Sequence, residues 1–339
     1  MQGEFRDVER ILVMQKGQVL GQHAWHLRSS ITAARAHSYN GAYPVVVTSL
    51  ANELCKHCVR LRAEKAYRDE HGRCMLFGEE LLREVAGDTT RQPTTAFHTV
   101  FLVADPSSPV SPSWPAWVKA ARRVLVSTGV MQKMMGVQSA GAVTLAAELD
   151  LPPPPDLQAW GCGQGRAPPH LTRLLVLDGV QDPGNLGSLA RSALGFGFQA
   201  LYLLPSCCDP WNDKAIRASQ GAVLRIPIFR QGSLSHLLQT AQQHSLALVA
   251  AALPQDCPSA QRPFPGPHLK TRGVALVLGS EGQGLSKEVM QACHPVTIPM
   301  SNLESLNVAA AAHILMFMMD SHRVRQLTSQ LAGVVDVGP

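Results

Sequence analysis

A two-part α/β fold is what this sequence predicts, and three observations predict it. Residues 174–177, 200–204, 224–228, 246–251 and 274–278 are short runs of almost unbroken apolar side chains, the pattern of strands buried on both faces of a parallel sheet. Segments of helical period separate them at 185–194, 212–219 and 234–243, and strand–helix alternation is the signature of crossovers in such a sheet. Ahead of them, residues 151–170 (LPPPPDLQAWGCGQGRAPPH) carry four successive prolines, which lack amide donors and favour extended backbone, and then several glycines. That segment reads as a linker.

In chain order, residues 1–48 show no periodicity. The stretch 28–35 is rich in Ser, Ala and Arg and lacks acids, as organelle transit segments do, although Glu4, Asp7 and Glu9 precede it; a targeting or disordered leader is the expectation. Residues 49–150 read as a small α/β domain. It opens with a helix from about Asn52, an apolar strand at 74–77 closed by Gly78, and a helix over 79–85, followed by strands at 101–104 and 124–127. After the linker a second domain spans 171–328 and finishes in a long apolar helix over about 305–326, for which Ser305 is a natural N-cap. Residues 329–339 form a tail.

Composition narrows the function classes. Of 339 residues, 45% are hydrophobic and 16% charged, enough apolar material for packed cores and too little charge for wholesale disorder. No run approaches the ~18 uninterrupted apolar residues of a membrane span, so no membrane partner is expected. Eight cysteines without compact spacing read as free thiols in a reducing compartment, the cytoplasm or an organelle such as a plastid or mitochondrion. Cys55 and Cys58 have C-x-x-C spacing, yet no second pair follows at ribbon spacing, and no metal is predicted. Net charge is +5, with 17 Lys and Arg against 14 acids up to residue 150 and 13 against 11 after it, so charge suits a polyanion without singling out either half.

Three segments carry the chemistry, each just past a predicted strand. The first, from Asp178, holds Asp182-Pro183-Gly184-Asn185-Leu186-Gly187 and Arg191; the second is Leu278-Gly279-Ser280-Glu281-Gly282-Gln283-Gly284; the third runs from Ile298-Pro299-Met300 to Ser305-Leu306-Asn307-Val308. Glycine turns after strands let backbone approach a ligand closely, and polar side chains at strand ends converge where parallel sheets bind ligands. Taken one at a time they are ambiguous: a β-turn with a surface acid at Glu281, a solvated helix-face cation at Arg191, a cap at Ser305. Neither a P-loop nor a G-x-G-x-x-G after a strand is present, which argues against a dinucleotide enzyme such as a dehydrogenase.

Together and in this order, the three segments resemble the motifs of the SpoU (TrmH) family of RNA ribose 2′-O-methyltransferases, in the SPOUT class. N-x-G-x-x-x-R falls on Asn185, Gly187 and Arg191; G-x-E-x-x-G on Gly279, Glu281 and Gly284; I-P-M…S-L-N-V on Ile298, Pro299, Met300, Ser305, Leu306, Asn307 and Val308. In the first domain, Asn52, Lys56, Leu61, Tyr67-Arg68, Gly72 and Gly78 look like the small ribosomal-protein-like substrate domain that often precedes this catalytic domain, with Phe77 where many relatives have an acid. The resemblance implies a parallel-sheet α/β-knot, trefoil-knotted, that binds S-adenosylmethionine and dimerises through the knotted region.

It further implies catalytic roles for Asn185, Arg191, Glu281, Ser305 and Asn307. Cofactor contacts would come from Leu278, Gly279, Gly284, Ile298, Met300, Ser305, Leu306 and Asn307. RNA would be gripped by Lys56, Arg60, Arg62, Lys65 and Arg68, with Tyr67 stacking on a base, and rRNA is somewhat favoured over tRNA as the substrate. The other function class consistent with these motifs is a SAM- and RNA-binding ribosome assembly factor without turnover. The departure that bears on cofactor affinity is the loop 301–304, four residues where relatives usually have five including a glycine.

Overall fold

A computed structural model describes residues 45–87, 97–104, 113–139, 141, 143–156, 170–253, 273–280, 282–303 and 305–319. The leader up to residue 44, most of the linker, the last helix beyond 319 and the tail lie outside the described residues, as does Glu281.

Among the described residues the first part builds a five-stranded sheet in the order β1-β4-β3-β5-β2, from β1 (Val45–Val47), β2 (Arg73–Phe77), β3 (Phe97–Val103), β4 (Ala120–Val126) and β5 (Leu145–Asp150). β1, β4 and β3 run parallel, while β5 is antiparallel to both β3 and β2. Alternation along β2 sends Met75 and Phe77 to a core with α1 (Glu53–Ala63) and α4 (Thr128–Met135), and Cys74 and Leu76 to the opposite core with α3 (Glu79–Ala86). Between α1 and β2 lies the short α2 (Lys65–His71), stopped by Gly72 in the left-handed region at φ +63°.

Four of these elements are additions to the sequence reading, α2 among them, where a turn was expected. β1 and α4 were not expected, although Ser127 caps α4 with its side chain on the Val130 amide and Gly136 stops it at φ +69°. β5 was hidden by its own composition, since Glu148 and two alanines sit mid-strand where β-branched residues are the usual signal. Glu148 is 1% exposed. It accepts hydrogen bonds from His57 Nε2 (3.1 Å), His98 Nδ1 (3.0 Å) and Arg73 Nη1 (2.9 Å). Burial pushes its carboxyl up, but the bonds from His57 and His98 and the charges of His98 and Arg73 outweigh that and hold it well below the usual carboxylate range.

The second part is a six-stranded, fully parallel sheet in the order β11-β9-β10-β6-β7-β8 among the described residues. Its strands are β6 (Arg173–Asp178), β7 (Ala200–Leu203), β8 (Ile228–Phe229), β9 (Leu246–Ala251), β10 (Gly273–Gly279) and β11 (His294–Val296). The expected strand at 224–228 is a correction. Gly221, at φ +79°, leads into a 3-10 turn at Ala222–Leu224, Pro227 follows with no amide to pair, and the strand is reduced to Ile228–Phe229.

Helices α5 (Pro183–Gly195), α6 (Asp213–Ala218) and α9 (Val308–Met318) cover one face of this sheet, and α7 (Leu234–His244) and α8 (Lys287–Gln291) the other. Along β6, Leu175 and Leu177 join the first core, Leu174 and Val176 the second. Gly187 earns its place in packing: a Cβ there would meet the Ala215 carbonyl oxygen at 2.5 Å and Ala218 Cβ at 2.8 Å, so the glycine lets α5 and α6 touch. α9 begins at Val308 with Asn307 as its cap, correcting Ser305 in that role; the Asn307 Oδ1 accepts from the amides of Ala309 (2.9 Å) and Ala310 (3.2 Å).

All described residues belong to one compact unit, and a single hydrophobic cluster runs from Leu81, Leu82 and Val85 on α3 to Val223, Leu224 and Ala215 of the second part. Ion pairs cross the same boundary: Arg68–Asp209 (2.6 Å), Arg225–Glu84 (2.8 Å) and Arg230–Asp69 (2.8 Å). No helix among the described residues is long and apolar enough to cross a membrane.

Candidate active site

The strand order places the ligand end of the molecule. From β6 the chain builds outward to β7 and β8, then returns on the other side through β9 and β10, and ligands of open parallel sheets sit beyond the strand C-termini near such a reversal. A cavity of about 510 Å³ opens there, walled by the segments that follow β9, β10 and β11 and by the start of α9. Its size is ordinary for a small-molecule site, for which about 300–1,000 Å³ is typical.

The second segment forms its tightest wall. Ser280 and Gly284 exchange backbone hydrogen bonds (3.1 and 2.9 Å), closing a short turn in which Gly284 has φ +67°. Gly279 lies directly under this turn: a Cβ on it would run into the backbone of Gly284 and Leu285. Across the mouth the Ser286 amide donates to Asp178 Oδ2 (3.0 Å), fastening the turn to the end of β6. Because the obstruction at Gly279 is main chain, it cannot be relieved by a side-chain rotation. Gly279→Ala is therefore expected to weaken binding of the cavity's ligand by about 5- to 150-fold, from an overpacking cost of about 1–3 kcal/mol; calorimetric titration beside a melting curve checks this, and unchanged affinity would show the turn to be free to move.

Asn307 joins two motifs. With its Oδ1 committed to the first turn of α9, its Nδ2 donates to Asn185 Oδ1 at 3.3 Å. Asn185 in turn lies in the first turn of α5, where its amide donates to the capping carboxylate of Asp182 (2.9 Å). A hydrogen bond from Lys214 Nζ (2.7 Å), and then that amide, hold the Asp182 carboxyl below the usual carboxylate range. The start of α5 and the start of α9 are thus fixed relative to each other by a side-chain amide pair.

All eight residues expected to contact a cofactor line this one cavity: Leu278, Gly279, Gly284, Ile298, Met300, Ser305, Leu306 and Asn307. Of those expected to act in catalysis, Ser305 and Asn307 line it and Asn185 is hydrogen-bonded to Asn307. Arg191 stands apart on α5, exposed, outside the lining, and with no hydrogen bond or ion pair among the described residues. Sequence reasoning missed the segment Ala251, Ala252 and Leu253 and the α9 residues Ala311 and Leu315, which complete the apolar wall. The signal for the former was available, because the end of β9 adjoins β10 in the order that a returning strand must take.

In the first part the expected RNA contacts divide. Lys56, Arg60 and Lys65 are exposed, the first two in pairs with Glu53 (2.7 Å) and Glu64 (3.0 Å) that contribute little in water. Arg62 is half-buried, its guanidinium lying against Gly136 at the end of α4. Arg68 is a correction. It is 2% exposed, its Nη1 donates to the Leu61 and Arg62 carbonyls (both 2.8 Å), and Nη2 pairs with Asp209 (2.6 Å), so it braces the fold and cannot reach RNA. Tyr67 is the second correction. Arg60 covers its ring at 3.8 Å and His71 at 3.9 Å, and two groups that close to one centroid must lie on opposite faces, so neither face is open to a base.

The expected absence of metal was argued from Cys55 and Cys58; both thiols are buried in the core that α1 and α4 form with Met75 and Phe77, and burial pushes the Cys58 thiol well up. Among the described residues no group of three or more His, Cys, Asp or Glu could hold a metal ion.

A parallel α/β sheet with a glycine-walled cavity at its strand ends defines a ligand-binding α/β domain, and comparison with known proteins narrows the class. Residues 172–317 match the model of the SpoU rRNA methylase family. A tRNA/rRNA methyltransferase of Synechocystis, itself uncharacterized, is 33% identical over 280 residues, 80% of this chain and 92% of that one. A 23S rRNA (guanosine-2′-O-)-methyltransferase of Yersinia pestis is 34% identical over 146 residues, 42% of this chain and 57% of that protein, so the match spans a little over half of its length. The crystal structure of an AdoMet-bound rRNA methyltransferase from Sinorhizobium meliloti superposes with a TM-score of 0.64 at 22% identity, over 82% of this chain and 97% of that one, and shows the same fold. The chain belongs to the SpoU rRNA methylase family.

The cofactor of that family is S-adenosylmethionine, and the cavity suits it. Its described lining has no charged side chain, brings glycine main chain to the wall at Gly279, Gly282 and Gly284, and supplies apolar surface from Leu278, Ile298 and Leu306. A flat heteroaromatic ring needs such a slot, and a molecule carrying its own sulfonium charge needs no fixed cation beside it.

Proposed function

We propose that this protein transfers a methyl group from S-adenosylmethionine to a ribose 2′-hydroxyl of structured RNA, with ribosomal RNA the substrate. The observation that carries the reading is the Asn307–Asn185 hydrogen bond at the mouth of the cavity, which brings the first and third motifs together where the second already forms the wall. The names of relatives that act on 23S rRNA support the choice of substrate.

When bound, the sulfonium cofactor supplies an electrophilic methyl group for in-line displacement. The residues of this chain hold the reactants around it. Gly279 and Gly284 admit the ligand close to main chain, and Asn185 and Asn307 present a rigid amide pair toward the incoming ribose. A hydroxyl that attacks must shed its proton, and charge grows on its oxygen. Arg191 is unsuited to taking that proton, because a guanidinium offers only donors and no acceptor. Its planar donors suit steadying the oxygen or gripping the neighbouring phosphate. Glu281, Ser305 and the knotted threading of the second part belong to this reading, as does a homodimer through the knotted region, where α9 leaves Ile314 and Met318 exposed.

The test is transfer of labelled methyl from S-adenosylmethionine to unmodified ribosomal and transfer RNA by the full chain. Label is expected in ribosomal RNA. Cofactor that binds without label reaching any RNA would contradict the proposal and make the protein an RNA-binding assembly factor.

A further inference from the structure

We infer that the outer face of His71 is a stacking platform for one unpaired base of the RNA substrate. The inference rests on the RNA-directed function proposed above and adds a recognition site in the first part that replaces the role expected of Tyr67.

The platform is the end of a column. Arg60 lies over one face of Tyr67 at 3.8 Å and His71 over the other, with ring centroids 3.9 Å apart and planes 33° from parallel. His57 completes the cluster, 5.5 Å from Tyr67 and 5.4 Å from His71. Being equidistant from two rings that are themselves 3.9 Å apart, His57 must flank the pair at its edge; a ring beyond His71 would be much nearer to His71 than to Tyr67. The far face of His71 is therefore left uncovered by the cluster, and His71 is exposed.

The column is anchored to the sheet. The Tyr67 hydroxyl and His57 Nδ1 are 2.9 Å apart, and His57 Nε2 lies 3.1 Å from Glu148 Oε1. An ionised carboxylate accepts and does not donate, so Nε2 carries a proton toward Glu148 while Nδ1 shares a hydrogen bond with the tyrosine hydroxyl. Glu148 is in turn held by Arg73 and His98 from two further strands. His71 has its own tether, its Nδ1 donating to the Tyr67 carbonyl (3.0 Å), which leaves Nε2 directed away from the helix backbone. A ring fixed before binding loses little further freedom when a base stacks on it.

The surroundings fit RNA. Lys56, Arg60 and Lys65 are exposed nearby in sequence on α1 and α2, and the surface pairs of the first two are weak enough to exchange carboxylate for phosphate. Histidine is among the side chains on which splayed single-stranded bases stack, whereas paired bases are already stacked on one another. The occupant is accordingly a base in a loop, bulge or end.

The experiment compares full-length protein binding to two blunt-ended RNA duplexes, one fully paired and one carrying a single bulged adenosine, for the wild type, His71→Ala and His71→Phe. Stacking on one aromatic side chain is worth about 5- to 150-fold in affinity. His71→Ala is expected to lose that much on the bulged RNA and little on the paired one, and His71→Phe to retain most of it. Equal losses on both RNAs, no loss, or a phenylalanine that restores nothing would overturn the platform. Methyl transfer by the wild type separates the two claims. If the wild type modifies RNA and His71→Ala binds the bulged duplex unchanged, the platform is wrong and the function stands; if the wild type neither binds nor modifies RNA, both fall.

Discussion

Arg191→Ala is expected to lower methyl transfer by at least about 100-fold, the scale set by removing one group that steadies charge in a transition state. Affinity for S-adenosylmethionine should be essentially unchanged. The two halves of the expectation have separate structural grounds. Arg191 does not line the cavity, so its loss leaves the walls intact. It is also an exposed cation with no partner among the described residues, so its removal breaks no ion pair among them and leaves no buried charge behind. A residue unengaged by the described residues, yet carried on the same helix as Asn185, is placed to engage the substrate. Arg191→Lys keeps the charge and loses the planar fork, and should recover part of the activity if phosphate or alkoxide contact is the role. Turnover near the wild-type rate in Arg191→Ala would refute this assignment, and a matched loss of cofactor affinity would move Arg191 to the binding site.

The second large effect lies in the joint between the two sheets. Arg68→Met is expected to destabilise the protein by about 3–5 kcal/mol, because it strands a buried carboxylate. Asp209 has a side chain 7% exposed, and Arg68 is its 2.6 Å partner. The remaining contacts of Asp209 are weaker: the Trp211 amide at 3.2 Å, and Arg230 at 4.0 Å, itself lying over the Trp211 ring at 4.2 Å and bonded to Asp69. Arg68 also satisfies the carbonyls of Leu61 and Arg62 at the end of α1, which lose a donor as well. The double variant Arg68→Met with Asp209→Leu removes both charges together and should recover a large part of the loss. Urea unfolding of the three proteins reads this directly. A single variant that loses less than about 1 kcal/mol would show that water reaches the pair.

The parallel sheet was legible in the sequence for a physical reason. Strands covered on both faces must be apolar along their interiors, and β6, β7, β9 and β10 all are. The same rule misled at 224–228, where a mostly apolar run interrupted by Arg225 is bent by Gly221 and Pro227, so that composition reported burial and not conformation. Glu148 concealed β5 because a buried carboxylate is tolerated only with donors from elsewhere, and His57, His98 and Arg73 come from three other elements. At the cavity, motif spacing located the lining residues well, since glycine turns and strand ends are local features. The RNA face was harder. Arg68 and Tyr67 have the right chemistry for RNA, but which way a side chain points is decided by partners such as Asp209, 141 residues away. His71 was passed over in the sequence, where nothing local distinguishes it from any polar helix end.

The central claim is the position of the methyl group, and alkaline hydrolysis of the labelled RNA product tests it most directly. Alkali cleaves RNA through attack by the free 2′-hydroxyl, so a methylated ribose protects its own linkage. We predict that the label survives in alkali-resistant dinucleotides of ribosomal RNA and disappears with Arg191→Ala. Label recovered in mononucleotides would place the methyl group on a base and contradict the account.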